Sequence, residues 1–202
     1  PIQINGNDLL YSQLTDGITG VGAVDDLLAV AGPGDEVEGF DKYDVVQLQA
    51  TALKFFDQVL GASRLTLVTE AGMTYINDFN DASEGGHRYG RNSVFGTAAP
   101  GVDDGFVTDF AWGYRARANL RYSDVFSGVN LTPSIAWSHD VKGYSPAPAQ
   151  QFNEGRRAVS LALKADYMET YTASISYTNY FGGDFNELKD RDFVSLTVGA
   201  SF

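Results

Sequence analysis

The chain contains no cysteine. Disulfide frameworks, thiolate metal sites and cysteine nucleophiles are excluded together. It also lacks any run of about 18 apolar residues, so no segment can cross a membrane as a helix. A barrel strand escapes that test, because alternation dilutes its hydrophobicity. Positive charge is scarce: 14 Lys and Arg stand against 26 Asp and Glu, a formal net charge of −12. A phosphate partner needs a basic footprint, which argues against nucleic acid. An initiator Met and a signal peptide are missing at Pro1, which predicts a processed product or a piece of something longer. Tyr, Phe and Gly, by contrast, are plentiful. That composition suits an outer-membrane barrel and equally a soluble β-sandwich.

What is present is organised around residues 108–122, TDFAWGYRARANLRY. Thr108, Phe110, Trp112, Tyr114, Ala116, Ala118, Leu120 and Tyr122 alternate with Asp109, Ala111, Gly113, Arg115, Arg117, Asn119 and Arg121. Successive strand side chains point to opposite faces, so one face is apolar and the other polar and basic. The apolar face carries aromatics at both ends, the profile of a bilayer-crossing strand with a lumen face free to be polar. From Phe110 to Tyr122 the rise is roughly 40 Å, and a tilt of about 45° brings it close to the ~25 Å apolar band of such a barrel. A lone strand cannot exist in lipid, because its backbone groups need partners.

Neighbours of the same kind are predicted over 43–56, 64–76, 129–138, 157–167, 171–181 and 192–202. Pro133 interrupts one of them and predicts a bulge or a missing ladder bond. The connections alternate between short (57–63, 123–128, 168–170) and long (77–106, 139–154, 182–191), matching the short periplasmic turns and longer extracellular loops of bacterial barrels. Val194, Leu196, Val198, Ala200 and Phe202 alternate with Ser195, Thr197, Gly199 and Ser201. This resembles the C-terminal signature that outer-membrane assembly machinery recognises. The expectation is an all-β, antiparallel transmembrane β-barrel of the outer-membrane type. Residues 43–202 would hold seven strands, and 1–42 an N-terminal segment with a long acidic extracellular loop. Since single-chain bacterial barrels have even strand counts, these are the last seven or eight strands. Either 1–14 supply an eighth, or the strands close a larger barrel, which the weak pattern of 1–14 favours.

PIQINGNDLLYSQL at the start, QLQATALKFFDQVLGASRLTLVTEAG in the first hairpin, AWSHDVKGYSP, FNEGRRAVSL, SYTNYFGG and DRDFVSLTVGASF make the chain similar to a known group. It resembles the C-terminal third of the proteobacterial outer-membrane β-barrel family described as domain of unknown function 1302. The resemblance spans nearly the whole chain and implies a fragment of a longer barrel. Genes of that family tend to lie near exporters of the resistance–nodulation–division type. This implies movement of lipids or other hydrophobic molecules, with an inner-membrane exporter system as a partner. It carries over no catalytic residues.

The residues therefore predict a channel or transporter for a small or hydrophobic molecule, without chemistry or cofactor of its own. The alternative is a non-transporting structural or surface-interaction barrel with acidic extracellular loops. Lumen-facing candidates are Arg115, Arg117, Arg121, Asp109, Glu70, Lys164 and Asp166. A basic row facing carboxylates selects solutes by charge across a pore. The same groups, paired, would instead fill a closed interior, since buried charges need compensation. Phe110, Trp112, Tyr122, Trp137, Tyr167 and Tyr171 are the predicted membrane-interface aromatics, facing outer-membrane lipid and lipopolysaccharide. Acidic stretches at 25–41 and 78–84 lack the spacing of a calcium loop and read as a solvated rim. His139 beside Asp140 and near Ser138 invites a hydrolase reading, but adjacent strand residues such as Ser138 and His139 face apart. His87 has no partner in sequence, and the glycine clusters at 17–22 and 85–90 lack a phosphate-loop setting.

Overall fold

A computed structural model describes residues 42–86, 88–96, 102–146 and 151–201. Expectations for 1–41, including the N-terminal strand and the acidic stretch at 25–41, lie outside the described residues, as do His87 and Phe202. Seven strands follow one another in sequence: β1 (Val45–Val59), β2 (Ala62–Ile76), β3 (Phe110–Phe126), β4 (Val129–Lys142), β5 (Arg157–Tyr167), β6 (Tyr171–Phe181) and β7 (Phe193–Ala200). They form one antiparallel sheet in the order β1-β2-β3-β4-β5-β6-β7. Among the described residues the sheet is open, with β1 and β7 as edges, and is not closed into a barrel.

The strand pattern explains the register. β4 meets β5 from Val129↔Tyr167 to His139↔Arg157, β5 meets β6 from Arg157↔Phe181 to Tyr167↔Tyr171, and β6 meets β7 from Tyr171↔Ala200 to Thr178↔Phe193. This register sets Ile135, Leu161, Tyr177 and Val194 in one row, and Leu163, Ile175 and Leu196 in the next. Thr132, Lys164, Ser174 and Thr197 line up on the opposite face. A one-residue slip would exchange the two faces, so the pattern itself fixes the pairing.

Two of the three short connections are tighter than the sequence predicts, while 168–170 is as expected. Leu60 (φ 53°) with Gly61 (φ 77°), and Ser127 (φ 49°) with Gly128 (φ 84°), place two positive-φ residues between paired strands. That is the geometry of primed hairpin turns, whose twist matches the strands. The strands accordingly reach further than predicted, β1 to Val59 and β3 to Phe126. β4 likewise continues to Lys142, through residues expected to be loop. Pro133 does not bulge the strand on the β5 side, where pairing passes one-to-one through Pro133↔Leu163. β3 also begins later than expected. Thr108 Oγ1 donates to the Phe110 carbonyl at 2.9 Å and accepts from the Tyr144 N–H at 3.0 Å. Asp109 consequently lies just before the strand, where its carbonyl accepts from the Ile76 N–H.

The molecule divides into two compact units. The first gathers the described residues up to Leu48, with Met73–Trp112 and Val141–Glu154. Its core is Ile76, Phe79, Tyr89 and Val107. Phe79 and Tyr89 stand 5.6 Å apart between ring centroids, and Tyr43 meets Phe79 edge-on at 5.1 Å. Backbone bonds from Ile76 to Asp109 (2.8 Å) and from Val107 to Tyr89 (2.8 Å) satisfy polar groups around it. The second unit contains Gln49–Gly72, Gly113–Asp140 and the chain from Gly155 onward.

Candidate functional site

The second unit contains a cleft of about 430 Å³ on the polar face of the sheet. Five adjacent strands line it: Glu70 from β2, Arg115 and Arg117 from β3, Ser138 from β4, Ser160 from β5, Thr178 and Tyr180 from β6. All occupy same-face positions of the period-two pattern. The small side chains of Ala136 and Ala158 also border the space.

Glu70 is the acidic partner here. Its carboxylate lies 3.7 Å from the Arg115 guanidinium and accepts a long bond, 3.5 Å, from the Thr51 hydroxyl. Arg115 is 54% exposed and Glu70 32%. A pair that wet contributes about 0–1 kcal/mol, so it tunes the local field more than it holds the sheet. Among the described residues Arg117 and Arg121 have no carboxylate within 4.0 Å. Thr178 Oγ1 lies 3.0 Å from Ser160 Oγ, joining β6 to β5 across the floor.

The predicted lumen row is thus only partly gathered. Arg115, Arg117 and Glu70 meet in the cleft. Lys164 and Asp166 sit further along the same face of β5, with Asp166 3.5 Å from the Asn130 amide. Arg121 is exposed on β3 beyond the cleft, and its carbonyl accepts from Ser63 Oγ at 2.7 Å. Asp109 is outside the strand altogether.

On the other face, aromatic side chains gather at both strand ends. Trp137 Nε1 is 3.4 Å from the Tyr114 hydroxyl, and the Trp137 ring lies 5.9 Å from Phe181 and 6.4 Å from His139. At the opposite end Tyr167 stacks on Tyr171 at 6.4 Å, and the Tyr122 hydroxyl bonds the Leu60 carbonyl at 3.2 Å. Phe110 and Trp112 are half-buried. Tyr114, not among the predicted interface residues, is the β3 ring that joins the Trp137 cluster. Val194, Leu196 and Val198 are 66–75% exposed and pair with Tyr177, Ile175 and Ala173. His139 lies on the aromatic face and Ser138 lines the cleft, as alternation requires.

Sequence reasoning missed a buried ion pair. Asp140 is 4% exposed, and its Oδ2 is 2.6 Å from Arg156 Nε. Its N–H donates to the Arg156 carbonyl and its own carbonyl accepts from Gly155, both at 2.9 Å. Gly113 makes room for it: a Cβ there would stand 2.7 Å from the His139 carbonyl oxygen and 3.0 Å from Asp140 Cα. An isolated glycine inside a strand pattern signals such a close approach. The pair fixes the strand ends and does not reach the cleft lining. Among the described residues no three His, Cys, Asp or Glu side chains come together as a metal would require.

The sequence profile of one family, described as a protein of unknown function (DUF1302), matches residues 1–202, and the chain belongs to that family. No curated protein and no solved structure matches it.

Proposed function

We propose that this DUF1302 member forms part of the wall of a bacterial outer-membrane β-barrel, and that its cleft face lines a passage for a small or hydrophobic molecule. The carrying observation is the inversion of burial in the second unit. Leu161, Leu163, Ile175, Leu196 and Val198 are 43–75% exposed, while Ser160, Ser174, Ser176 and Thr178 on the opposite face are half-buried. A water-soluble sheet hides its apolar face, and contiguous exposed apolar area of this extent marks a membrane or partner surface. The aromatic clusters fit the same reading. The 11-residue β6 carries Tyr171 at one end and Phe181 at the other. At about 3.3 Å per residue and a tilt of about 45°, it spans about 25 Å, the height of the apolar band between aromatic girdles.

Lipid leaves no backbone edge unpaired, so the outer edges of β1 and β7 pair with further strands when the barrel is complete. β7, with Val194, Leu196 and Val198, is the segment offered to the assembly machinery, and Trp137, Tyr167 and Tyr171 rest among lipid and lipopolysaccharide head groups. Delivery from an inner-membrane exporter would feed the passage. The exposed Arg115–Glu70 pair, and an Arg117 without a carboxylate within 4.0 Å among the described residues, favour an aqueous interior over one sealed by ion pairs. The competing reading, a non-transporting surface barrel, draws on the first unit, whose loops fold around a core of their own.

Planar-bilayer conductance of the full-length protein separates the two. Discrete openings are expected, with an anion preference that weakens in an Arg115→Ala/Arg117→Ala double variant. Silence from an inserted barrel would favour the surface role.

A further inference from the structure

The geometry points to a binding site for a small amphiphilic monoanion in the five-strand cleft: an oxyanion head group at Arg117 and an aromatic or alkyl body against Tyr180 and Phe193. The inference rests on the reading of this face as a barrel interior and adds the class of molecule it takes.

Three observations converge. Arg115 and Arg117 leave the same face of β3 two residues apart, roughly 6.5 Å between Cα atoms. Glu70 partly offsets Arg115 at 3.7 Å, whereas Arg117 has no carboxylate that close among the described residues. Two cations and one anion leave a single net positive charge, which suits a monoanion. Opposite them, Thr178 donates to Ser160 at 3.0 Å, so the Ser160 hydroxyl keeps its own hydrogen for a ligand. A guanidinium fork and a hydroxyl donor lining the same cleft are equipment that can bind a carboxylate or similar oxyanion.

The third observation is apolar. Tyr180 lines the cleft and stacks on Phe193, with centroids 6.5 Å apart and planes at 28°. Phe193 pairs with Thr178 and so stands on the polar face of β7, where the following same-face residues are Ser195, Thr197 and Gly199. It is 49% exposed. A face that only passed hydrated ions would gain nothing from an exposed ring there. A body that must leave water gains apolar contact from it.

The test uses the full-length protein inserted in phosphatidylcholine nanodiscs, titrated calorimetrically with 2-naphthoate and with the neutral 2-naphthalenemethanol. Naphthoate should bind saturably, above empty nanodiscs, about tenfold tighter than the neutral probe, the difference of one charge-assisted hydrogen bond. Arg117→Gln should remove that preference, Arg117→Lys should retain most of it, and Phe193→Ala should weaken both probes by a similar factor. Equal binding of the two probes, or an Arg117→Gln protein with unchanged preference, overturns the site. Heat-modifiable migration reports insertion separately. An inserted barrel without preference defeats this inference alone, whereas failure to insert defeats the barrel reading and the site with it.

Discussion

The two units obey opposite rules of burial. Among the described residues every buried apolar side chain except Ala62 belongs to the first unit: Ile76, Phe79, Ala82, Tyr89, Phe106, Val107, Ala111 and Phe152. Its charges are handled as in any water-soluble fold. Arg88, with a side chain only 8% exposed, meets Asp103 at 3.2 Å and lies over the Phe106 ring. In the second unit Leu161, Leu163, Ile175, Leu196 and Val198 are outside, while Ser160, Ser174, Ser176 and Thr178 on the opposite face are half-covered. Burial is a statement about solvent, and on our proposal one chain that follows both rules is matched to two solvents. Water accounts for the first unit; lipid, on our proposal, accounts for the second.

The comparison breaks most sharply at one residue from each unit. Phe79→Ala should cost about 3–5 kcal/mol of the local stability of the first unit, because a 6%-exposed ring leaves a cavity behind. Hydrogen exchange on the full-length protein should show this loss around 76–89 alike in detergent and in lipid, with β5 and β6 unaffected. Ile175→Arg, at the centre of β6, should behave differently. Near a bilayer midplane it should cost about 2–4 kcal/mol in denaturant titrations from vesicles. On a water-exposed strand a residue that is 50% exposed would tolerate the same change within about 0.5 kcal/mol. A negligible effect in vesicles would remove lipid from the account of the second unit.

The sequence carried the second unit well and the first hardly at all, for a physical reason. Strands with one apolar and one polar face write a period of two into the chain, and β5 and β6 have the bounds that this period predicts. Where the alternation weakens, near Asp57 and at Thr108, the predicted ends miss by a few residues, because turn geometry and a side-chain hydrogen bond decide them. The loop of 77–106 has no period, yet Phe79, Tyr89 and Val107 meet in its core. Contacts between residues so far apart leave no local trace. In the cleft, alternation placed Glu70, Arg115 and Arg117 on one face, but their meeting depends on the strand stagger. Asp140 was legible only through Gly113, whose missing side chain is meaningful once its neighbour across the strand is known.

A smaller effect sharpens the boundary at the start of β7. Asp192 lies just before the strand, outside the part read as spanning lipid. Hydrogen bonds from the Asn179 amide, the Tyr180 N–H and the Tyr177 hydroxyl hold its carboxyl below the usual carboxylate range. A depressed folded pKa means stability that is fully present above the unfolded value of about 3.9 and lost as pH falls through the folded value. The segment 182–192 should therefore stay docked at pH 5 and loosen only below about pH 3.9. Carboxyl-carbon NMR of Asp192 in the full-length protein should give a midpoint below that of an unstructured aspartate. Asn179→Ala should move the midpoint upward, since the amide is the largest of the three causes. A midpoint at or above about 3.9 in the unmodified protein would mean that these bonds are not kept in solution. The turn into β7 would then be held by strand pairing alone.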